Sequence, residues 1–209
     1  MRFLHDMTAR QPRIGRFVLR IFLWLPLCFA AWYYLAPYHA AVAARVALLG
    51  ITLFKTGIVT AIEQPATSLV FVSKLQVEAA PGRWALLAPE VDPLIYTYGL
   101  AFFLALMLAA RARPLKILLG VAVLLPFQAW SIAFDVLAQV GFRMGPDVAR
   151  QAGLTGWRVE AIALGYQVGT LMLPTLVPVI AWAWLCSANL GFLRPGPTQS
   201  LTVSPEARR

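Results

Sequence analysis

The sequence has few charged residues, and it lacks the short motifs that mark the commonest enzyme sites. Only 13% of its 209 residues are charged and 60% are apolar, whereas soluble domains are about 25% charged. This composition excludes an ordinary soluble domain. The sequence also contains no H-E-x-x-H, no G-x-S-x-G and no phosphate-binding P-loop, so it does not predict a zinc protease, a serine hydrolase or a nucleotidase of the usual kinds.

Cysteine and histidine are scarce, with two of each. Cys28 and Cys186 both lie within apolar runs, so we expect buried thiols rather than a disulfide or a nucleophile. His5 falls in a basic N-terminal arm. His39 follows the first apolar run, where an interfacial histidine without a catalytic role is favoured over a general base. We therefore predict no metal and no cofactor.

Acidic residues are few, nine against eighteen basic ones, and they are unevenly placed. Eleven of the basic residues fall in three segments that flank apolar runs: an arm (Arg2, Arg10, Arg13, Arg16, Arg20), a loop (Arg111, Arg113, Lys116) and a tail (Arg194, Arg208, Arg209). Short segments rich in Lys and Arg stay on the cytoplasmic side of a membrane. They also attract anionic lipid, so the net charge of +9 does not predict a nucleic-acid partner.

Four apolar segments predict an all-α polytopic membrane protein. The spans are about 17–37, 93–110, 115–140 and 161–187, each near the 20 residues that a bilayer requires. Residues 1–16 form the cytoplasmic arm, residues 17–190 a single membrane domain, and residues 191–209 a disordered cytoplasmic tail. With the basic segments inside, both termini of this multi-pass protein of the bacterial inner membrane are expected to be cytoplasmic.

The segment between the first two spans, residues 38–92, is then an extracytoplasmic cap. Helical periodicity predicts an interfacial helix over 39–63, with a fifth span as the alternative. Residues 67–78 alternate as a strand does. Pro81 and Gly82 suit a turn, after which residues 84–87 would return as the second strand of a small β-hairpin.

Polar residues recur at a spacing of seven in the last two spans. Gln128 and Asp135 share one helix face, as do Glu160 and Gln167. Because the two helices run antiparallel, we expect the two carboxylates at the outer boundary, with Arg143 or Arg158 as the balancing base. The candidate polar pocket comprises Gln128, Asp135, Glu160, Gln167 and Arg158. Its alternative is a set of interhelical hydrogen bonds that only fixes the helix pair.

Small and hydroxyl-bearing residues in the same spans allow two weaker interpretations. Gly165 and Gly169 form a G-x-x-x-G step, which permits close helix approach. Ser131, Thr170 and Thr175 could serve a membrane-embedded hydrolase, but none has a visible base nearby.

Several ordered phrases occur along the chain: DPLIYTYGL at 92–100, LPFQAW at 125–130, WRVE at 157–160, ALGYQ at 163–167 and LPTL at 173–176. Over about residues 17–190 the chain resembles small bacterial membrane proteins associated with exosortase H, a protein-sorting system of the Gram-negative envelope. Exosortases use a Cys, Arg and His arrangement at the outer face, and neither cysteine here falls at that face. The resemblance therefore implies a non-enzymatic accessory partner of an exosortase.

A small transporter or channel subunit is the alternative function. The polar pocket between the last two spans would then form part of a path for solute. Apart from Arg20 and Lys116, which lie near the inner ends of their spans, no charged residue occurs in the inner half of any predicted span, which argues against a continuous polar route.

Overall fold

The computed structural model describes residues 2–54, 57–65 and 67–186. The chain is mostly helical, and three of its helical segments are long and apolar enough to cross a membrane: Ile14–Phe54, Pro114–Arg143 and Trp157–Cys186. The segment predicted as the span 93–110 contains the shorter apolar stretch Leu94–Ala109. The tail predicted for residues 191–209 lies outside the described residues.

The first helix, α1, runs without interruption from Arg2–Phe54. The prediction of a separate helix over 39–63 was therefore wrong, since residues 39–54 continue the first helix. The interior of α1 beyond Pro37 is rich in alanine, which has the highest helix propensity. The helix stops after Phe54, and Gly57 takes a positive φ of 82°. The β-branched residues that follow enter a sheet instead, as strand β1 (Val59–Glu63).

Large apolar side chains in the far half of α1, Val42, Leu49 and Leu53, are exposed. The buried face is a stripe of small residues, Ala40, Ala43, Ala44, Ala47 and Ile51. Their spacing of three and four residues places them on one side of the helix, where the small side chains let neighbouring elements approach closely.

The cap contains two small antiparallel sheets. The remaining strands are β2 (Leu69–Ser73), β3 (Gln76–Ala80), β4 (Arg83–Leu86) and β5 (Glu90–Val91). One sheet has the order β1-β2-β5, and the other is the β3-β4 hairpin. The predicted hairpin is confirmed, with Gly82 at φ 75° in its turn.

The predicted single strand over 67–78 is in fact two strands, separated by a bend at residues 74 and 75. Ser73 causes the bend, because its hydroxyl donates to the Leu87 carbonyl at 2.7 Å and accepts from the Leu75 N–H at 3.2 Å. The alternation of apolar and polar residues over 67–78 does not reveal these hydrogen bonds between the Ser73 side chain and the backbone.

Six helices follow the cap, and two of them continue into π-helical turns. They are α2 (Leu94–Thr97), α3 (Gly99–Ala109), α4 (Pro114–Ala138, continued by the π-turn Gln139–Arg143), α5 (Pro146–Gln151), α6 (Trp157–Gln167, continued by the π-turn Val168–Met172) and α7 (Leu173–Cys186). The predicted spans 115–140 and 161–187 coincide with α4 and with α6–α7.

The described parts of the basic segments meet at one end of the bundle, which we call the basic end. The ring of Phe17 in α1 stacks on Trp182 of α7, with centroids 5.8 Å apart. Lys116, at the start of α4, donates to the Leu185 carbonyl of α7 at 2.6 Å. The loop between α3 and α4 carries Arg111 and Arg113 to the same end. The cap therefore lies at the opposite end of these helices.

The buried side chains form two clusters, one above the other. The bundle core, towards the basic end, contains Leu100, Phe103, Met107, Leu124, Ala181 and Cys186. The cap core joins the sheets to the far halves of α1 and α4 and includes Ala43, Ala47, Leu69, Phe71, Ile132, Val136 and Ile162. Helix α4 contributes to both, so it connects the membrane-type bundle to the cap.

Candidate functional site

Buried polar side chains of the described residues cluster on α4 and its π-turn, where the bundle core gives way to the cap core: Gln128, Ser131, Asp135 and Gln139. Gln128 is 5% exposed, and its Oε1 lies 2.6 Å from Nε2 of His39 on α1. The imidazole N–H therefore donates to the amide oxygen. At 1.5 Å per residue Gln128 is about 18 Å from Lys116 along α4, so this bond joins α1 and α4 well away from the basic end.

Asp135 lies two helical turns further along α4 and pairs with Arg143. The distance from Arg143 Nη1 to Asp135 Oδ1 is 3.1 Å. The Arg143 guanidinium also donates to the Tyr166 hydroxyl at 2.5 Å and lies 4.6 Å from the centre of its ring. Because Asp135 is buried while Arg143 is partly exposed, the arginine neutralises the carboxylate from the solvent side.

This ion pair belongs to a network that reaches the cap. The Asp135 carboxylate also lies against the side chains of Tyr96 on α2 and Gln139 on the π-turn. Gln139 Nε2 donates to the backbone carbonyl of Glu90 in β5 at 2.9 Å. One buried carboxylate therefore connects α2, α4 and α6 and, through Gln139, the edge of the cap sheet.

A small open cleft lies beside Gln128, between α3, α4 and α7. Its polar lining is Tyr96, Gln128 and Ser131, and the rest is apolar. The Ser131 hydroxyl donates to the carbonyls of Phe127 and Gly169 at 3.1 and 2.8 Å. The Ser131 hydroxyl is therefore already hydrogen-bonded within the helix pair, and the cleft offers few polar groups that could take part in a reaction.

The two glycines of the G-x-x-x-G step, Gly165 and Gly169, pack against α4 of the same chain. Trp130 of α4 donates its indole N–H to the Gly165 carbonyl at 3.2 Å. A Cβ on Gly165 would overlap the ring of Phe134, and one on Gly169 would lie 3.1 Å from Ser131 Cα. The absence of side chains at these two positions is what lets α4 and α6 pack directly together.

The predicted pocket residues divide into two groups. Gln128 and Asp135 are buried in the interior described above, but Glu160 and Gln167 are exposed on α6. The buried face of α6 carries Ile162 and Gly165, on the side opposite Glu160 and Gln167 at 100° per residue. The expected meeting of the two polar faces is therefore not what the structure has.

The two candidate bases also have different positions. Arg143 balances Asp135. Arg158 is half-buried in the first turn of α6, with its guanidinium 6.0 Å from the centre of the Trp157 ring. It lies away from the Asp135 network, and its contact is with an exposed aromatic side chain.

Sequence reasoning missed His39, Tyr96 and Tyr166. His39 was interpreted as an interfacial residue, and its partner Gln128 lies 89 positions away. Local periodicity carries no information about such a contact. The phrase containing Tyr96, DPLIYTYGL, offered the nearest signal, because an aromatic hydroxyl just inside an apolar segment requires a polar partner.

Neither cysteine is arranged as a nucleophile or ligand. Cys28 and Cys186 are both free and buried, as predicted, and Cys186 Sγ lies 3.6 Å from the sulfur of Met107. Within the described ranges, no group of three or more His, Cys, Asp or Glu side chains could hold a metal ion.

The order of these elements and their polar residues can be compared with known families. The model of one family, the exosortase H-associated membrane proteins, matches residues 11–189. The chain belongs to this family. Among the curated proteins and the solved structures, none matches the chain. For this exosortase H-associated protein, the matched region includes the bundle, the cap and the whole Asp135 network.

Proposed function

We propose that this protein is a non-enzymatic accessory subunit of an exosortase-type system that sorts envelope proteins, and that its cap is the part presented to the other components. The observation that carries the proposal is the family match over residues 11–189. The site chemistry supports it, since two of its buried polar groups are engaged within the fold: Gln128 with His39, and Asp135 with Arg143. Their geometry suits a role in holding the cap on the bundle.

The proposed topology has four spans in the bacterial inner membrane with both termini in the cytoplasm. Helix α3 supports a fourth span, because it begins beside the cap and ends at the basic loop that precedes α4. The basic end then faces the cytoplasm and its anionic lipid, and the cap faces the other side. The Asp135–Arg143 pair lies near the outer boundary in this arrangement.

Co-purification tests the proposal directly. The full-length protein, tagged and solubilised in a mild detergent, should retain the exosortase H of the same cell. A variant with Asp135→Asn should retain less of it, since the cap is then less firmly held. Repeated failure of the unaltered protein to co-purify, with both proteins folded and abundant, would refute the association.

The alternative of a transporter or channel subunit has no supporting geometry. A path would require Gln128, Asp135, Glu160 and Gln167 to face one cavity, whereas the latter two are exposed on α6. Proteoliposomes containing the purified protein are accordingly expected to show no solute flux above that of empty liposomes.

A further inference from the structure

The strand β4 is unusually exposed for an element of a folded cap. All four of its residues, Arg83–Leu86, are exposed. Trp84 and Leu86 keep 63% and 60% of their surface open. They are two residues apart and so project from the same face of the hairpin, which also carries Gln76 and Glu78 of β3.

The pairing register shows where the backbone groups of β4 point. Gln76 lies opposite Leu86, and Glu78 lies opposite Trp84. The Leu87 N–H donates to the Leu75 carbonyl at 2.8 Å. Hydrogen-bonded and non-bonded pairs alternate in an antiparallel ladder. The N–H and C=O groups of Trp84 and Leu86 therefore point away from β3.

The two edges of this hairpin differ in their backbone hydrogen bonding. On the β3 side, the Gln151 side chain hydrogen-bonds to the backbone of Gln76. Its Oε1 accepts from the Gln76 N–H at 3.2 Å, and its Nε2 donates to the Gln76 carbonyl at 3.0 Å. On the β4 side, the backbone groups of Trp84 and Leu86 have no hydrogen-bond partner within the described part of the chain. An open apolar edge of this kind is a template for another strand.

The open backbone N–H and C=O groups of β4 argue for a polypeptide occupant rather than lipid, because acyl chains offer no hydrogen bonds. The Gln64 side chain at the end of β1 reaches back to the Pro37 carbonyl at 2.8 Å. The other end of β1, Val59, pairs with Ser73, from which the chain continues into β3. The hairpin thus begins at the end of the sheet nearer the terminus of α1 at Phe54, whose ring lies 6.2 Å from that of Phe134 on α4.

The charge beside the edge indicates what kind of segment fits. Arg83 is exposed and forms no ion pair within the residues the structure describes. The nearby Glu78 carboxylate instead accepts from the Gly82 N–H of the turn at 2.8 Å. A strand added to β4 would therefore meet an exposed guanidinium that forms no ion pair within the described residues, next in sequence to Trp84.

We propose that the free edge of β4 binds an extended polypeptide segment of a partner protein by strand addition. Backbone groups of the segment pair with those of Trp84 and Leu86. Apolar side chains at alternate positions pack on the Trp84 and Leu86 side chains, and an acidic residue faces Arg83. The inference goes beyond the accessory role, since it holds whichever protein supplies the segment.

A synthetic peptide, Glu-Val-Thr-Val-Thr-Val, provides the probe. With the full-length protein in lipid nanodiscs, hydrogen exchange of the Trp84 and Leu86 amides should slow about tenfold at a peptide concentration ten times its dissociation constant. The Val77 amide should be unaffected. The control peptide has proline at its second valine and cannot pair along its length.

Two variants separate backbone pairing from side-chain contact. Leu86→Pro removes an outward N–H while leaving the bonds to β3, and it should abolish peptide binding. Leu86→Thr loses the same apolar side chain but keeps the N–H, and it should retain weakened binding. Circular dichroism and exchange at Val77 establish that both variants keep the hairpin.

Three results would overturn the proposal: no protection at millimolar peptide, equal binding of the proline-containing peptide, or undiminished binding to a folded Leu86→Pro. Protection of Trp84 and Leu86 that appears without peptide and rises with protein concentration would also overturn it, by assigning the edge to a second copy. A failed exosortase co-purification would leave the peptide result unaltered, so the two proposals fail separately.

Discussion

The imidazole of His39 and the side-chain amide of Gln128 are joined by a 2.6 Å hydrogen bond between α1 and α4. The bond lies between the bundle core and the cap core. A polar contact at this position holds the two helices together specifically, because the buried Gln128 amide has no water available to replace its partner. The relationship can be tested without knowing the partner of the protein.

Replacing Gln128 with leucine should destabilise the protein by about 1 kcal/mol, since His39 loses its acceptor in a buried setting. Thermal unfolding in detergent measures the change. The matched control is Gln167→Leu at an exposed position of α6, which should leave the midpoint nearly unchanged. Equal losses from both variants would contradict the structural role of the His39 bond.

Asp135→Asn should cost about 1–3 kcal/mol, because Arg143 keeps its charge and loses a buried carboxylate partner. The partial exposure of Arg143 limits the loss. Asp147→Asn is the control, since Asp147 and its partner Arg150 are both largely exposed. Chemical denaturation of the two variants in the same detergent compares them. A larger effect at Asp147 would show that the buried network does not hold the cap.

Gly165→Ala should disrupt the contact between α4 and α6, because the added methyl group overlaps the Phe134 ring. We expect a loss of about 1–3 kcal/mol, the usual cost of overpacking. Gly15→Ala, where a Cβ meets nothing within 4 Å, should be neutral or slightly stabilising. Combining Gly165→Ala with Phe134→Leu should recover part of the loss, and failure to do so would argue against the overlap.

Cysteine accessibility should separate the two ends of the molecule. In intact spheroplasts, a membrane-impermeant maleimide should label Thr155→Cys in the loop before α6 and leave Arg113→Cys in the basic loop unlabelled until the cells are opened. The native Cys28 and Cys186 are buried and should give little background. Labelling of Arg113→Cys from outside would reverse the proposed orientation.

Much of the bundle was predictable, because apolar length and basic flanks are local properties of the sequence. The segments of α4 and of α6–α7 were predicted close to their observed bounds, and the β3–β4 turn followed from Pro81 and Gly82. The continuation of α1 was not predictable from hydrophobic periodicity, because its buried face is made of alanines rather than of large apolar residues.

The candidate site was only half predictable. A spacing of seven correctly placed Gln128 and Asp135 on one face of α4, but the same rule cannot say which face of α6 meets it. Gly165 and Gly169 decide that question, since their backbone approaches α4 and turns Glu160 and Gln167 outward. The partner His39 lies on another helix, beyond the reach of any local pattern.

Helix α1 is longer than one crossing of the membrane requires. Its apolar-rich segment Ile14–Phe54 has 41 residues and is about 60 Å long, roughly twice the thickness of the hydrocarbon layer. Its end nonetheless lies against α4, because the Phe54 ring is 6.2 Å from that of Phe134, a residue only about 27 Å along α4 from Lys116 at the basic end. The far half of α1 must therefore lie across α4, which holds the cap close to the ends of the bundle helices.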